Sequence, residues 1–338
     1  MTQKPLHQLL FGLTQIENQK IENKDEWEAL LSGVPFKTFF HTIEWESFLE
    51  KEFSWMKFER YMWRDKLLLS VARCKLFGKE KIVSHPLCEY GGPLPLADNI
   101  NYANFENDFT REFGRRARIH YHPRIKTESV GALSTFWIEN YSKKTVEDLW
   151  RGLRKTVRQE IGAGERRGIY MENCKNGEEL KQFYKMYLDT VKKHKNIPLP
   201  FSAFEFFHKS SNADILLAKK DGKVLGGSVF LFYEPFIHYF LNASDYQFRK
   251  WNVGHIVLWS AIQRYKDNTG YDYFDLGGTR KGSSLEVFKR GWGAKEYPIY
   301  ETSPPGSTSR NSRLRDIWGM LPKGAIEKLA PWVIFNKI

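Results

Sequence analysis

The chain has 338 residues, 41% of them hydrophobic, 27% charged and 15% aromatic, the composition of a globular protein with chain enough for a sizeable core or two domains. Lysine and arginine number 52 against 40 acids, and the net charge of +12 favours phosphorylated metabolites, nucleic acid or an anionic membrane surface without choosing among them. Cys74, Cys88 and Cys174 form no CxxC pair, which argues against a zinc knuckle or a disulfide framework, and no apolar run approaches the roughly 18 residues that a membrane span needs.

The N-terminal stretch MTQKPLHQLLFGLTQIENQK lacks a signal-peptide core, because His7 and Gln8 interrupt a short apolar run. With scattered thiols that fit a reducing compartment, the expectation is a cytoplasmic protein, soluble or at most peripheral at the inner face of the membrane. Residues 39–53 predict a helix capped near Thr42, with Trp45, Phe48, Leu49 and Phe53 at helical spacing. Three strand-like runs follow at 57–63, 67–77 and 82–94, then a helix near 101–114 and a strand over 116–122. The same layout recurs at 214–220, 224–232 and 236–245, followed by the helix 253–267 and the strand YDYFDLGG at 271–278. Two α/β halves of similar plan are the simplest explanation.

Between the halves, 145–169 predicts a helix that stops around Gly162 to Gly164. It carries an apolar stripe (Val146, Leu149, Trp150, Leu153, Val157) and a basic one (Arg151, Arg154, Lys155, Arg158). The basic stripe reads either as a clamp for substrate phosphates or as a solvated helix face. A second helix over 178–195 ends before Pro198. His120 and His122 share one strand face, and no third ligand clusters near them, so a structural role is expected and no metal site is assigned.

The chemistry concentrates in YDYFDLGGTRKGSSLEVFKRGWGA at 271–294. Asp275 sits where strand is expected to become loop, and Gly277 and Gly278 would let a ligand's backbone or phosphate come close. Thr279, Arg280 and Lys281 add donors and charge; the alternative is an ordinary turn with a basic tip. Ser283 and Glu286 have capping-box spacing, which accounts for Glu286 structurally and places Phe288 and Lys289 one turn into a short helix. Lys289 there would stabilise an oxyanion or hold a phosphate, or else be a surface lysine beside a core phenylalanine. In RKWNVGH, at 249–255, Gly254 precedes a helix and reads either as part of an anion-binding loop or as an ordinary loop glycine.

Three segments carry a family resemblance: LWRGLRKTVRQEIGAGERRGIYM, DGKVLGGSVFLF, and YFDLGGTRKGSSLEVFKRGWGA with its F-K-x-x-W-G block. Together they resemble the FemAB peptidoglycan aminoacyltransferases and the FemAB-like acetyltransferase domains of the GNAT superfamily. The match covers about residues 145–300; in the first half it is carried chiefly by FHTIEWESF and EYGGPL. The resemblance implies an α/β (α+β) fold of two tandem GNAT-like subdomains, with mixed, mostly antiparallel sheets flanked by helices. The corresponding division is 1–140, a catalytic 141–302, and a loop with an amphipathic helical tail at 303–338. It implies acyl transfer to an amine without a covalent enzyme intermediate. Lys289 and Phe288 match the family's Phe-Lys pair, and Asp275 is a candidate proton acceptor. Gly277, Gly278, Thr279, Arg280 and the four basic residues at 151–158 become candidate substrate contacts, and Gly254 a candidate donor contact.

No tightly bound cofactor is expected. The donor would be aminoacyl-tRNA or an acyl-CoA, and the acceptor a phosphorylated or lipid-linked cell-envelope precursor, either peptidoglycan or surface polysaccharide. The alternatives are an acetyl-CoA-dependent N-acetyltransferase acting on a sugar amine, and a non-catalytic binder of RNA or anionic lipid. The tail, from Asn311 onward, mixes apolar and basic residues and would pack on the protein or lie on a membrane surface.

Overall fold

The structure, a computed structural model, describes residues 18–98, 100–125, 133–302, 318 and 320–337. The polar loop expected at 303–312 lies outside them. Two sheets organise the chain. In the first, β1 (Gln19–Lys20), β2 (Met56–Trp63), β3 (Leu67–Leu76) and β4 (Lys79–Val83) follow one another antiparallel, and β5 (Leu94–Pro95) adds to β3. The second has seven strands: β6 (Leu133–Glu139), β7 (Tyr170–Asn173), β8 (Ala213–Lys220), β9 (Lys223–Tyr233), β10 (Phe236–Ser244), β11 (Tyr273–Arg280) and β12 (Lys295–Ile299). Their spatial order is β12-β6-β11-β10-β9-β8-β7. All its ladders are antiparallel except β10 with β11, as the mixed, mostly antiparallel expectation has it.

The sheets do not divide at residue 140, because β6 lies before that point in sequence and between β11 and β12 in space. The strand expected over 116–122 forms no ladder among the described residues. It makes single bridges, Val83 with Arg118 and His120 with Glu301, while Tyr121 N–H donates to Tyr300 O. Its backbone groups are shared between β4 of the first sheet and residues 300–302, which follow β12 of the second, so this segment stitches one half to the other.

Helices α1 (Lys24–Ser32), α2 (Ile43–Glu52) and α3 (Tyr102–Phe113) serve the first half. The Thr42 hydroxyl accepts the Trp45 N–H and starts α2, while residues 39–41 ahead of it form a 3-10 turn. The second half carries α4 (Val146–Gly152), α5 (Lys155–Glu165), α6 (Gly177–Lys193), α7 (Phe201–Lys209), α8 (Val253–Arg264) and α9 (Ser284–Arg290). The tail ends in α10 (Lys323–Lys337).

The single helix expected from 145 to about 163 is two. Leu153 and Arg154 turn extended between α4 and α5, and Arg154 N–H donates to Gly291 O, a partner far along the chain. The halves share one core in which Phe39, Phe40 and Trp45 meet Phe204, Phe207 and Phe240, with Ile334 and Phe335 of α10 in the same cluster. The Trp45 and Phe207 rings stack at 5.9 Å, and burial of each such aromatic is worth roughly 1.5–3 kcal/mol. That shared core fixes the loop 84–92 of the first half against β10 and β11 of the second.

Candidate active site

β10 and β11 run parallel only from Phe236 with Tyr273 to His238 with Asp275. Beyond that point, among the described residues, β10 pairs with β9 and β11 with β6. The place where parallel strands part at their C-terminal ends is where open α/β sheets bind ligands.

β11 does not stop at the glycines. It continues to Arg280 through a bulge between Asp275 and Gly278, which face Trp137 and Thr135 of β6. Gly277 takes φ +78°, a conformation that L side chains avoid. A Cβ on Gly278 would meet Glu89 Cγ at 2.6 Å. The glycines therefore admit a carboxylate from the first half of the chain.

Asp275 is wholly buried and surrounded by donors. Its Oδ1 accepts from the Thr135 hydroxyl at 2.5 Å and from Gly277 N–H at 2.7 Å; its Oδ2 accepts from the Tyr90 hydroxyl and from His238 Nδ1 at 2.9 Å. Across the imidazole, His238 Nε2 lies 3.1 Å from Glu89 Oε2, an ion pair outside hydrogen-bond geometry. Glu89 Oε1 accepts the Gly278 N–H at 3.3 Å, and 25% of this side chain remains exposed.

Burial opposes the charge on His238, but Asp275 and Glu89 outweigh it and raise the imidazole to about 10. Burial likewise works against both carboxylates, and the imidazolium beside them still holds Glu89 and Asp275 below the ordinary range. The result is a buried carboxylate–imidazolium–carboxylate row spanning both halves.

Lys289 completes the site. The Ser283 hydroxyl accepts the Glu286 N–H and starts α9, while Glu286 reaches back to the Gly282 N–H, so the expected cap is present. One turn on, Lys289 is 4% exposed and its ammonium donates to Gly277 O at 2.7 Å and Gly278 O at 2.9 Å. Burial lowers it to about 8, against the pull of Glu89 and Asp275.

The other candidates scatter. Phe288 points away from Lys289, half-buried against the rings of His255 and Trp292. It thus adjoins the start of α8, where Gly254 sits and His255 pairs with Glu160 at 2.7 Å. Buried Thr279 shares a hydrogen bond with Ser283, and Arg280 is exposed.

The break between α4 and α5 splits the basic stripe. Arg151 faces outward and pairs with Glu147, and Arg158 turns back onto the carbonyls of Trp150, Arg151 and Leu153. Lys155 is exposed. Arg154 alone lies against Gly291, at the end of the helix that carries Lys289. Elsewhere, His122 is buried among the rings of Phe36, Tyr90 and Trp137, and His120 lies 3.7 Å from Glu301. Among the described residues no group of three or more histidine, cysteine or acidic side chains is arranged to hold a metal.

Glu89, Tyr90, Thr135 and His238 were not found by sequence reasoning. Two signals were available: Glu89 and Tyr90 open the EYGGPL segment of the family resemblance, and His238 is a polar residue in the otherwise apolar run FIHYFL, where a buried polar group needs a partner.

Residues 151–290 match the family model of the GNAT acetyltransferase domain. No curated protein matches the sequence. Among solved structures, FemX superposes with a TM-score of 0.61 at 14% identity, covering 89% of this chain and 100% of that one. The C-terminal domain of a proposed lysylphosphatidylglycerol synthetase from Agrobacterium fabrum gives 0.53 at 13% identity, covering 84% and 94%. A tandem GNAT protein from the clavulanic acid biosynthesis pathway gives 0.50 at 8%, covering 86% and 100%. The chain therefore has the tandem-GNAT, FemX-like fold, and the GNAT acetyltransferase model matches it over residues 151–290.

Proposed function

We propose that the chain is an N-acyltransferase of the Fem type, moving an aminoacyl or acyl group onto an amine of a cell-envelope precursor. The observation that carries this reading is the convergence of Glu89, His238, Asp275, the Gly277–Gly278 bulge and Lys289 where β10 and β11 part. The GNAT domain match supports acyl transfer as the reaction class. The FemX fold and the resemblance of the 271–294 segment to FemAB proteins support the envelope precursor.

In the reaction the acceptor nitrogen attacks the donor's carbonyl carbon, forming the C–N bond and an oxyanion. The C–O bond of an aminoacyl ester, or the C–S bond of a thioester, then breaks. The leaving oxygen or sulfur takes up a proton, and the nitrogen loses one. Two of the three Lys289 N–H groups are committed to the bulge carbonyls; the third is the donor assigned to the oxyanion or to a substrate phosphate. The N–H groups of Gly277 and Gly278 are already taken by Asp275 and Glu89. Asp275 is sealed from substrate and spends its oxygens on four donors, so it acts here as a positioning residue. The proton acceptor is Glu89, through the Oε1 that faces the Gly278 edge.

The donor is decided by a thermal-shift comparison, because a ligand held only by the folded state raises the melting midpoint. Aminoacyl-tRNA is expected to stabilise the protein, and acetyl-CoA to leave it unchanged. A shift with acetyl-CoA alone would favour the second reading, a sugar-amine N-acetyltransferase, which the acetyltransferase domain match supports. With the donor so identified, Lys289→Met is expected to lower turnover about 100- to 1,000-fold, the usual cost of one oxyanion donor. Turnover of Lys289→Met equal to wild type would remove Lys289 from the mechanism.

A further inference from the structure

The β3–β4 hairpin closes with a two-residue turn, since Leu76 pairs with Lys79. Its residues, Phe77 and Gly78, have φ of +50° and +71°. Asn-Gly suits such a turn, whereas a bulky side chain at positive φ is disfavoured. Phe77 is nonetheless there, and it is 78% exposed. Folding gains nothing from this side chain and bears its strain.

A second apolar projection lies on the helix that this hairpin touches. Lys81, on the returning strand of the hairpin, donates to the Asn336 carbonyl at 2.8 Å, and its ammonium lies 5.3 Å from the Phe335 ring centroid. The hairpin is thereby held against the last turn of α10. That helix buries Ile326, Ala330, Ile334 and Phe335 in the protein and leaves Trp332 52% and Leu329 43% exposed. The tail therefore packs on the protein with one face while presenting another. Lys328 is on the exposed face, and Glu327 is turned to the Tyr184 hydroxyl. At the hairpin, Lys75 and Lys79 flank Phe77; Glu80, the acid there, is engaged by Arg73 and Lys75.

We propose that the Phe77 turn and the Trp332–Leu329 face of α10 form a docking surface for an anionic lipid bilayer. Phenylalanine, tryptophan and leucine enter the boundary between headgroups and acyl chains, and Lys79 and Lys328 meet the lipid phosphates. Charge complementarity selects this occupant: a net +12 chain presents Phe77 next to exposed Lys79 and Trp332 on the helix face of Lys328, while Glu80 is paired with Arg73 and Lys75 and Glu327 is turned to Tyr184. The surface needs neither donor nor acceptor, so it stands or falls apart from the acyl-transfer reading.

The test is co-sedimentation of the full chain with vesicles of phosphatidylcholine alone or mixed with phosphatidylglycerol, at low and high salt, alongside sedimentation velocity without lipid. Binding to the anionic vesicles that weakens with salt, and at least tenfold weaker binding by Phe77→Asn with Trp332→Gln, is the expected result. Phe77→Asn alone should keep or raise the melting midpoint, because asparagine suits the turn, which separates lost binding from lost folding. Absence of wild-type binding, equal binding by the double variant, or equal binding to neutral vesicles would overturn the proposal. A wild-type dimer abolished by Trp332→Gln would overturn it in favour of a second copy of this chain.

Discussion

Replacing His238 by leucine is expected to destabilise the protein by about 3–5 kcal/mol, the cost of removing one member of a buried ion pair. Two carboxylates face this imidazole, and the variant leaves them without the charge that holds both ionised. Asp275 keeps the Tyr90 and Thr135 hydroxyls and the Gly277 N–H, so its own cost is partly met. Glu89 keeps one N–H and the neighbourhood of Lys289. Urea unfolding near neutral pH measures the loss. The deficit should shrink toward pH 4, because a carboxyl that has lost its cation takes up a proton more readily and the repulsion disappears. A loss below 1 kcal/mol at neutral pH would mean that the row is not ionised as described.

The same charges set the pH dependence of wild-type stability. His238 has its folded value raised to about 10, so its contribution is complete below its unfolded value, near 6.5, and is lost as pH climbs toward 10. Lys289 works in the opposite sense: held near 8 when folded and 10.5 when free, it adds stability as pH rises between those values. Stability should therefore fall between about pH 6.5 and 8, on the order of 1 kcal/mol per pH unit, and level off between 8 and 10. On the acid side, burial lowers His41 to about 4 and holds His85 and His122 well below their usual value. The unfolded chain binds protons there that the folded chain refuses, so stability drops again below about pH 6.5. His238→Leu should abolish the decline between 6.5 and 8 and leave the acid limb in place.

Sequence patterns revealed what depends on neighbours along the chain. The Thr42 cap of α2 and the Ser283 cap of α9 act within one helical turn, and both are where their spacing puts them. The hairpins of both sheets follow from alternation and turn residues in the same way. What escaped depends on partners far along the chain. The break after Gly152 is held by the Gly291 carbonyl, and the continuation of β11 past its glycines by a bulge against β6. The site itself was half visible. Asp275, Gly277, Gly278 and Lys289 lie in one run and meet as a group; His238 joins them through the parallel register of β10 and β11, and Glu89 only because the shared aromatic core docks the halves. Phe288, adjacent to Lys289 in sequence, faces elsewhere because successive helical residues point in different directions.

Glu89→Gln carries the largest expected effect on catalysis, a fall in turnover of about 100- to 10,000-fold. The substitution keeps the shape of the side chain, and a glutamine carbonyl oxygen can still accept the Gly278 N–H, so the bulge and the fold should survive. What it removes is a site for the proton released when the acceptor amine becomes an amide. The loss should appear in kcat with little change in KM for the acceptor, and Glu89→Asp should recover part of it. Asp275→Asn gives the necessary contrast. Its side chain is sealed from substrate, so its effect must pass through His238 and appear as lost stability as well as lost rate. If Glu89→Gln retained turnover within threefold of wild type, the leaving group or solvent would be taking the proton. Glu89 would then join Asp275 as a group that positions the glycine bulge, leaving Lys289 as the one side chain assigned to the reacting atoms.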